Sequence, residues 1–281
     1  MFGITTASIR GAELITQPQA AEPASLDQSA ASDAARLRLW LRDSNGRARL
    51  DPELILQLKS LLENQREARL VTIEGTPGSF CEGLDLELLP LDGEGQGASA
   101  WAEVVLQELE QLLEAITYTP RPVVALVDGP ALGGGLGIAA AADLVIATPR
   151  ASFALPEAIM GLIPAVVFPF VAHRIGVARA RLLALGSPPL DAAQALEFGL
   201  VDEIAEDLES ALDRYARRFI RMDSRAIGTF KKLVATHYEP SPHYKADALK
   251  SFSNLLETKE TRRRITRFYS GASPWDEEDA S

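Results

Sequence analysis

The sequence predicts an α/β protein built from strand-to-helix units, and three observations predict it. Short β-branched apolar runs, among them Leu70 to Glu74 and Val123 to Val127, have the length of buried strands and end at clusters of Gly, Pro or Asp. Between those two runs, Trp101 to Tyr118 places Trp101, Val104, Val105, Leu109, Leu112, Leu113 and Ile116 at helical spacing. A 47% hydrophobic composition with only 6% aromatic residues suits an Ala/Leu-rich α/β chain and argues against disorder of the whole.

In chain order, residues 1–34 are expected to form an N-terminal arm or rebuilt loop, because Gln17 to Asp33 is rich in Ala, Ser, Gln and Pro. Arg36 to Arg42 alternates charged and apolar residues, as a half-buried strand should, with Leu37, Leu39 and Leu41 on one face. Asp51-Pro52-Glu53 supplies an N-cap, a first-turn proline and an acid for a helix to about Asn64. Residues 91–99 read as a polar surface loop. Beyond the central glycines, Asp143 to Thr148 and Ala151 to Leu155 read as strands. Ala165 to Ile175, Ala178 to Leu185 and Asp191 to Glu197 read as short helices, and Leu200 to Ile204 as extended. From about Glu206 the chain reads as helical, so the expected units are an arm (1–34), a core (35–205) and a helical C-terminal region (206–281).

A formal net charge of −11 argues against a nucleic-acid footprint and against attraction to anionic membranes. Cys81 is the only cysteine, which excludes an intramolecular disulfide or a cysteine-based zinc site and suits a reducing cytoplasm. No apolar run is long enough to span a bilayer, and the N-terminus has no basic segment followed by an apolar one.

Chemistry is expected around Pro122 to Gly137, PVVALVDGPALGGGLG. A strand runs into a bend at Asp128-Gly129-Pro130, and Gly133 to Gly135 lead into the small apolar residues Ile138 to Ala142, read as a buried helix. Glycines let a backbone approach a ligand, and a helix start offers unpaired N–H groups. The stretch is therefore a candidate oxyanion site made of backbone, or alternatively a glycine turn packed against a neighbouring helix. A dinucleotide fingerprint is excluded because Ile138 stands where its last glycine belongs; a phosphate-binding P-loop is excluded because Leu136 follows Gly135. Ser79 to Leu86 (SFCEGLDL) repeats the device, a strand-to-helix bend with Gly83 at its corner.

SFCEGLDL, DGPALGGGLGIAAAADLVIA, FALPEAIMGLIP and PLDAAQALEFGLVDEI, in that order and spacing, resemble the crotonase family, the enoyl-CoA hydratase/isomerase-like proteins. The resemblance covers about Arg36 to Ile204. The usual opening pattern and an Asn-Arg-Pro-type turn after the first strand are missing. The resemblance implies a crotonase-like (ClpP/crotonase) spiral of ββα repeats, with a helical C-terminal region that mediates trimerisation into a homotrimer or hexamer. It further implies that the backbone N–H groups of Leu84 and Gly134 hold a thioester carbonyl as an oxyanion hole, with Gly83, Gly133, Gly135 and Gly137 lining the substrate.

Hydratases of that family use two glutamates. One matches Glu157; where the other belongs, this chain has Gly137. A single carboxylate resembles the pattern of enoyl isomerases, and equally that of dehydratases acting on carrier-protein-bound intermediates in polyketide biosynthesis. The expected activity is thus dehydration/hydration of a 3-hydroxyacyl/enoyl thioester by an oxyanion-stabilised enolate and one glutamate. The alternatives are double-bond isomerisation or a non-catalytic subunit. No metal or other cofactor is expected, coenzyme A or phosphopantetheine entering only as part of the substrate. The partner is acyl-CoA or an acyl carrier protein, with Lys259 and Arg262 to Arg264 as a nucleotide or docking contact, a trimer contact or a solvated face. Glu82 reads as a loop acid turned to solvent and Cys81 as a packed residue. His173 and His243 read as helix or loop residues, while His237 is a further candidate for the pocket wall. Decarboxylating relatives use a lysine after the first bend, where this chain has Leu86-Glu87-Leu88. Val166, Val167, Phe168 and Phe170 are expected to shape the pocket.

Overall fold

The computed structural model describes residues 35–90, 96–238 and 242–274, so the arm expected over 1–34 lies outside the described residues. The elements are β1 (Arg36–Trp40), α1 (Pro52–Asn64), β2 (Leu70–Glu74), α2 (Gln96–Tyr118), β3 (Val123–Val127), β4 (Pro130–Leu132) and α3 (Gly134–Ala141). There follow β5 (Leu144–Ala147), β6 (Ser152–Ala154), α4 (Phe168–Ile175), α5 (Val177–Ala184), β7 (Leu190–Asp191), α6 (Ala192–Phe198) and β8 (Glu203–Ile204). Four helices end the described chain: α7 (Leu208–Phe219), α8 (Ser224–Tyr238), α9 (Pro242–Leu256) and α10 (Lys259–Tyr269). Short 3₁₀ turns occupy Leu86–Leu88 and Glu157–Met160.

Strands β1-β2-β3-β5-β8, in that order, form a parallel sheet. Its central strands are apolar without alternation because both faces are covered. Val71, Ile73, Val123, Ala125, Val127, Val145 and Ala147 face the main core with α1, α2 and α3, whereas Leu70, Val124, Leu126, Leu144 and Ile146 pack on Ala211, Leu212 and Ala216 of α7. The edge strand β1 does alternate: Leu39 is buried, while Arg36 and Arg38 reach Glu74 and Glu209 at 2.6 to 2.9 Å.

A second sheet, β4-β6-β7, positions the site. Strands β4 and β6 are parallel with Leu132 opposite Ala154, and an isolated parallel bridge sets Cys81 beside Ala131. Leu132 N–H donates to Cys81 C=O at 2.8 Å, and Gly133 N–H donates to Ala154 C=O at 3.0 Å. Three segments therefore run side by side and end together, at Gly83, Gly133 and Leu155.

The structure departs from the sequence reading where local signals are weakest. α2 begins at Gln96, inside the expected loop, of which residues 91–95 lie outside the described residues. Val104, assigned to its apolar face, is 60% exposed. α4 begins only at Phe168, after Pro164 and with Pro169 in its first turn, and Asp191 is the N-cap of α6 in a capping box with Gln194. Only Glu203–Ile204 of the expected extended stretch pairs in the sheet. β4 and β7, at three and two residues, had no legible pattern.

α3 packs with no space for side chains along one face. A Cβ on Gly135 would stand 2.4 Å from the Cys81 carbonyl oxygen, a backbone atom that cannot give way. We expect Gly135→Ala to destabilise the fold by about 1–3 kcal/mol, read as a lowered urea midpoint at unchanged slope; an unchanged midpoint would show that the two segments move apart freely.

Candidate active site

At the first bend, Leu50 N–H donates to Gly83 C=O and Asp85 N–H donates to Leu50 C=O, both at 2.9 Å. Successive residues of an extended chain direct their amides to opposite sides, so Leu84 N–H points away from Leu50. Gly83 takes a left-handed φ of 90° at this corner. Asp85 stabilises the bend from beneath: its buried carboxylate accepts from Arg47 at 2.6 Å and caps the 3₁₀ turn that follows. At the second bend, Gly133 has φ 51° and caps α3 without a side-chain hydrogen bond. Gly137 N–H donates to Gly133 C=O at 3.0 Å, and Gly134, as the first residue of α3, has no partner for its N–H within the helix. The two bends touch, since a Cβ on Gly83 would stand 3.5 Å from Gly134 N.

Glu157 comes from the third segment. β6 ends at Ala154, Pro156 starts a 3₁₀ turn, and Gly161 closes it in the left-handed region. The register of β6 on β4 brings this turn over the glycines, where a Cβ on Gly133 would lie 3.0 Å from Glu157 Oε1. The residue as a whole is half-buried, but its Oε2 is out of contact with solvent and has no hydrogen-bond partner among the described residues. That burial pushes its carboxyl up to about 7, against a weaker opposing hydrogen bond from its own backbone.

Gly83, Leu84, Gly133, Gly134 and Glu157 all line one cavity of about 280 Å³, whose remaining wall is mainly apolar, including Leu86, Leu132, Met160, Val166 and Val167. Gly135 and Gly137, also expected beside the substrate, are not on that wall. Gly135 lies on Cys81; a Cβ on Gly137 would stand 2.7 Å from Val167 Cγ1 and 3.5 Å from Leu113 Cδ1. The space into which a side chain at position 137 would extend is therefore filled by Val167. Glu82 lies at the cavity rim, paired with Arg49 at 3.1 Å. Cys81 is buried and its thiol is pushed up to about 12 by that burial, as suits a packed residue.

Other expectations fall elsewhere. Phe170 and His173 line a second cavity of about 430 Å³, together with the Lys231–Asp143 and Lys245–Glu114 ion pairs. Residues 170 and 173 share one helix face, whereas Val166 and Val167, in the turn before α4, face the site. Phe168 lines neither cavity. The side chain of His237 lies outside the described residues, and His243 is exposed at the start of α9. On α10, Arg263 and Arg264 pair with Glu260, and neither they nor Lys259 nor Arg262 reach the candidate cavity. Sequence reasoning did not foresee Phe252, Phe268 and Tyr269, which close the cavity from the C-terminal helices. Among the described residues, no helix is long and apolar enough to cross a membrane.

The sequence profile of the enoyl-CoA hydratase/isomerase family matches residues 47–277. Bacillaene synthase dehydratase PksH of Bacillus subtilis (strain 168) is 29% identical over 219 residues, covering 76% of this chain and 83% of that relative. Enoyl-CoA isomerase/hydratase fer4 of Mycosarcoma maydis is 35% identical over 156 residues, 54% of each chain. Among solved structures, pksH of Bacillus subtilis, described as a polyketide-biosynthesis enoyl-CoA hydratase, superposes with a TM-score of 0.77 at 25% identity, covering 85% of this chain and 95% of that one.

A carboxyl raised from 4.5 to about 7 makes the folded chain hold a proton that the unfolded chain has released, so stability is lost as pH rises through that window, by about 3 kcal/mol in full. Chemical denaturation at pH 5 and pH 8 reads it: between them the wild type is expected to lose about 2–3 kcal/mol more than Glu157→Gln. Equal losses would show that the carboxyl is solvated.

Proposed function

The chain belongs to the enoyl-CoA hydratase/isomerase family, and we propose that within it this protein dehydrates a 3-hydroxyacyl thioester, or hydrates the corresponding enoyl thioester, in a biosynthetic pathway. One observation carries the reading: Glu157, whose buried Oε2 has no hydrogen-bond partner among the described residues, shares a cavity with Leu84 and Gly134 at the two glycine bends, and the space beside Gly137 is filled by Val167.

In this reading the thioester carbonyl oxygen sits between the Leu84 and Gly134 N–H groups. The Glu157 carboxylate removes the proton from C2, and the electron pair moves to the carbonyl oxygen as an enolate. Each well-placed donor contributes about 3–4 kcal/mol to stabilising that charge. The pair then returns to form the C2–C3 double bond, the C3–O bond breaks, and the departing hydroxyl takes the proton now on Glu157 and leaves as water. A pKa of about 7 suits a group that must act first as base and then as acid near neutrality. Hydration is the reverse.

The likeness to the Bacillaene synthase dehydratase favours a carrier-protein phosphopantetheine handle over coenzyme A, and the steps of this reading call for no other cofactor. Family membership supports a homotrimeric or hexameric assembly, and the single cysteine a cytoplasmic setting.

Purified protein is tested on 3-hydroxyacyl and 3-enoyl thioesters, each on coenzyme A and on a carrier protein. We expect turnover of the 3-hydroxyacyl substrate, with kcat/KM rising through an apparent pKa of about 7 and a loss of about 10²–10⁴-fold in kcat for Glu157→Gln. Conversion of the 3-enoyl substrate alone would replace dehydration by isomerisation, and inertness towards all four would leave a non-catalytic subunit.

A further inference from the structure

Helix α10 meets the candidate site at both of its ends. Near its start, the buried Thr261 donates its hydroxyl to the Gly161 C=O at 3.2 Å. Gly161 closes the 3₁₀ turn that begins with Glu157, and the contact is so close that a Cβ on Gly161 would stand 2.8 Å from Thr261 Oγ1. The Thr258 hydroxyl, 2.9 Å from that of Thr261, caps the helix and holds it in place. Near its end, the Tyr269 hydroxyl is the second acceptor of Leu86 N–H, at 3.3 Å, the first being Leu84 C=O at 3.0 Å. The Arg49 guanidinium lies 5.6 Å over the Tyr269 ring while it also pairs with Glu82 and Glu87, which flank the same bend.

The acid and the first amide thus come from segments more than seventy residues apart, and one helix touches both. From Thr261 to Tyr269 a helix rises about 12 Å. A helix is stiff along its axis, so docking both ends sets how far apart the two docked segments stand.

We propose that α10 is the spacer that fixes the distance between the Glu157 carboxylate and the Leu84 amide, with Thr261 and Tyr269 as its positioning residues. The inference rests on the thioester reading above. Thr261 lies outside the cavity wall and acts through Gly161 on the acid's turn; Tyr269 forms part of that wall, and its hydroxyl acts through Leu86 on the bend.

The test uses the full chain with Tyr269→Phe, which keeps the ring on Arg49 and removes the hydroxyl, and Thr261→Val with Thr261→Ser as the conservative control. Misplaced catalytic groups cost turnover more than binding, so Tyr269→Phe is expected to lower kcat about tenfold or more with KM within about twofold. Its pH–rate limb near 7 should stay in place, because the Glu157 surroundings are untouched. Thr261→Val should lower kcat and shift that limb, and Thr261→Ser should restore both. Amide hydrogen exchange supplies a readout independent of turnover: faster exchange confined to residues 84–88 in Tyr269→Phe and to 157–161 in Thr261→Val. Wild-type kcat, pH profile and exchange in both variants would overturn the proposal, as would exchange raised throughout the chain, which marks a mere cover. An inert wild type with the localised exchange changes intact would instead overturn the thioester reading and leave the spacer standing.

Discussion

Strand β4 is the constraint on which the site depends. Three residues long, it is paired on one side with the segment at Cys81 and on the other with β6, both in parallel. Parallel pairing makes the three segments run in one direction and end at one level, so the bends that follow them open into a single cavity. Backbone hydrogen bonds at 2.8 and 3.0 Å hold that alignment without any side chain of the site taking part. A one-residue slip of β6 on β4 would move Glu157 by about 3.3 Å along the strand direction, out of place for a group that, in the proposed reaction, must reach C2 while two fixed amides hold the carbonyl oxygen.

Close approach at the glycines serves two different purposes here. At Gly83 and Gly133 the positive φ turns the chain at the cavity wall, and the residues that follow, Leu84 and Gly134, line the same cavity. At Gly135 and Gly137 the missing side chain instead admits Cys81 and Val167, and so packs the helix behind the site. The first pair shapes what the cavity presents. The second pair decides what it cannot hold, since the Val167 side chain occupies the space into which a side chain at 137 would grow.

Much of this was legible in the sequence. The apolar five-residue runs marked β2 and β3 because both faces of those strands are buried, and the two glycine corners and the Pro-Glu turn were visible as punctuation between periodic segments. What escaped has physical reasons. A three-residue strand such as β4 is too short to show a period, and glycine carries no mark of whether a ligand or a neighbouring chain will fill the space beside it, which is why Gly135 and Gly137 were grouped with the substrate-facing glycines. Phe170 faces the other cavity because the direction of a helix face depends on where the helix starts, and two prolines delay α4 to Phe168. Tyr269 and Phe268 could not be found at all, since the docking of a C-terminal helix leaves no local trace.

All eight residues of α3 are buried, and none is larger than leucine or isoleucine. Its flanks are packed by protein, so mobile ions reach the positive end of its peptide dipoles only from the cavity side. The attraction it exerts on a negative charge in the cavity should consequently weaken less with salt than that of a helix start lying on the protein surface.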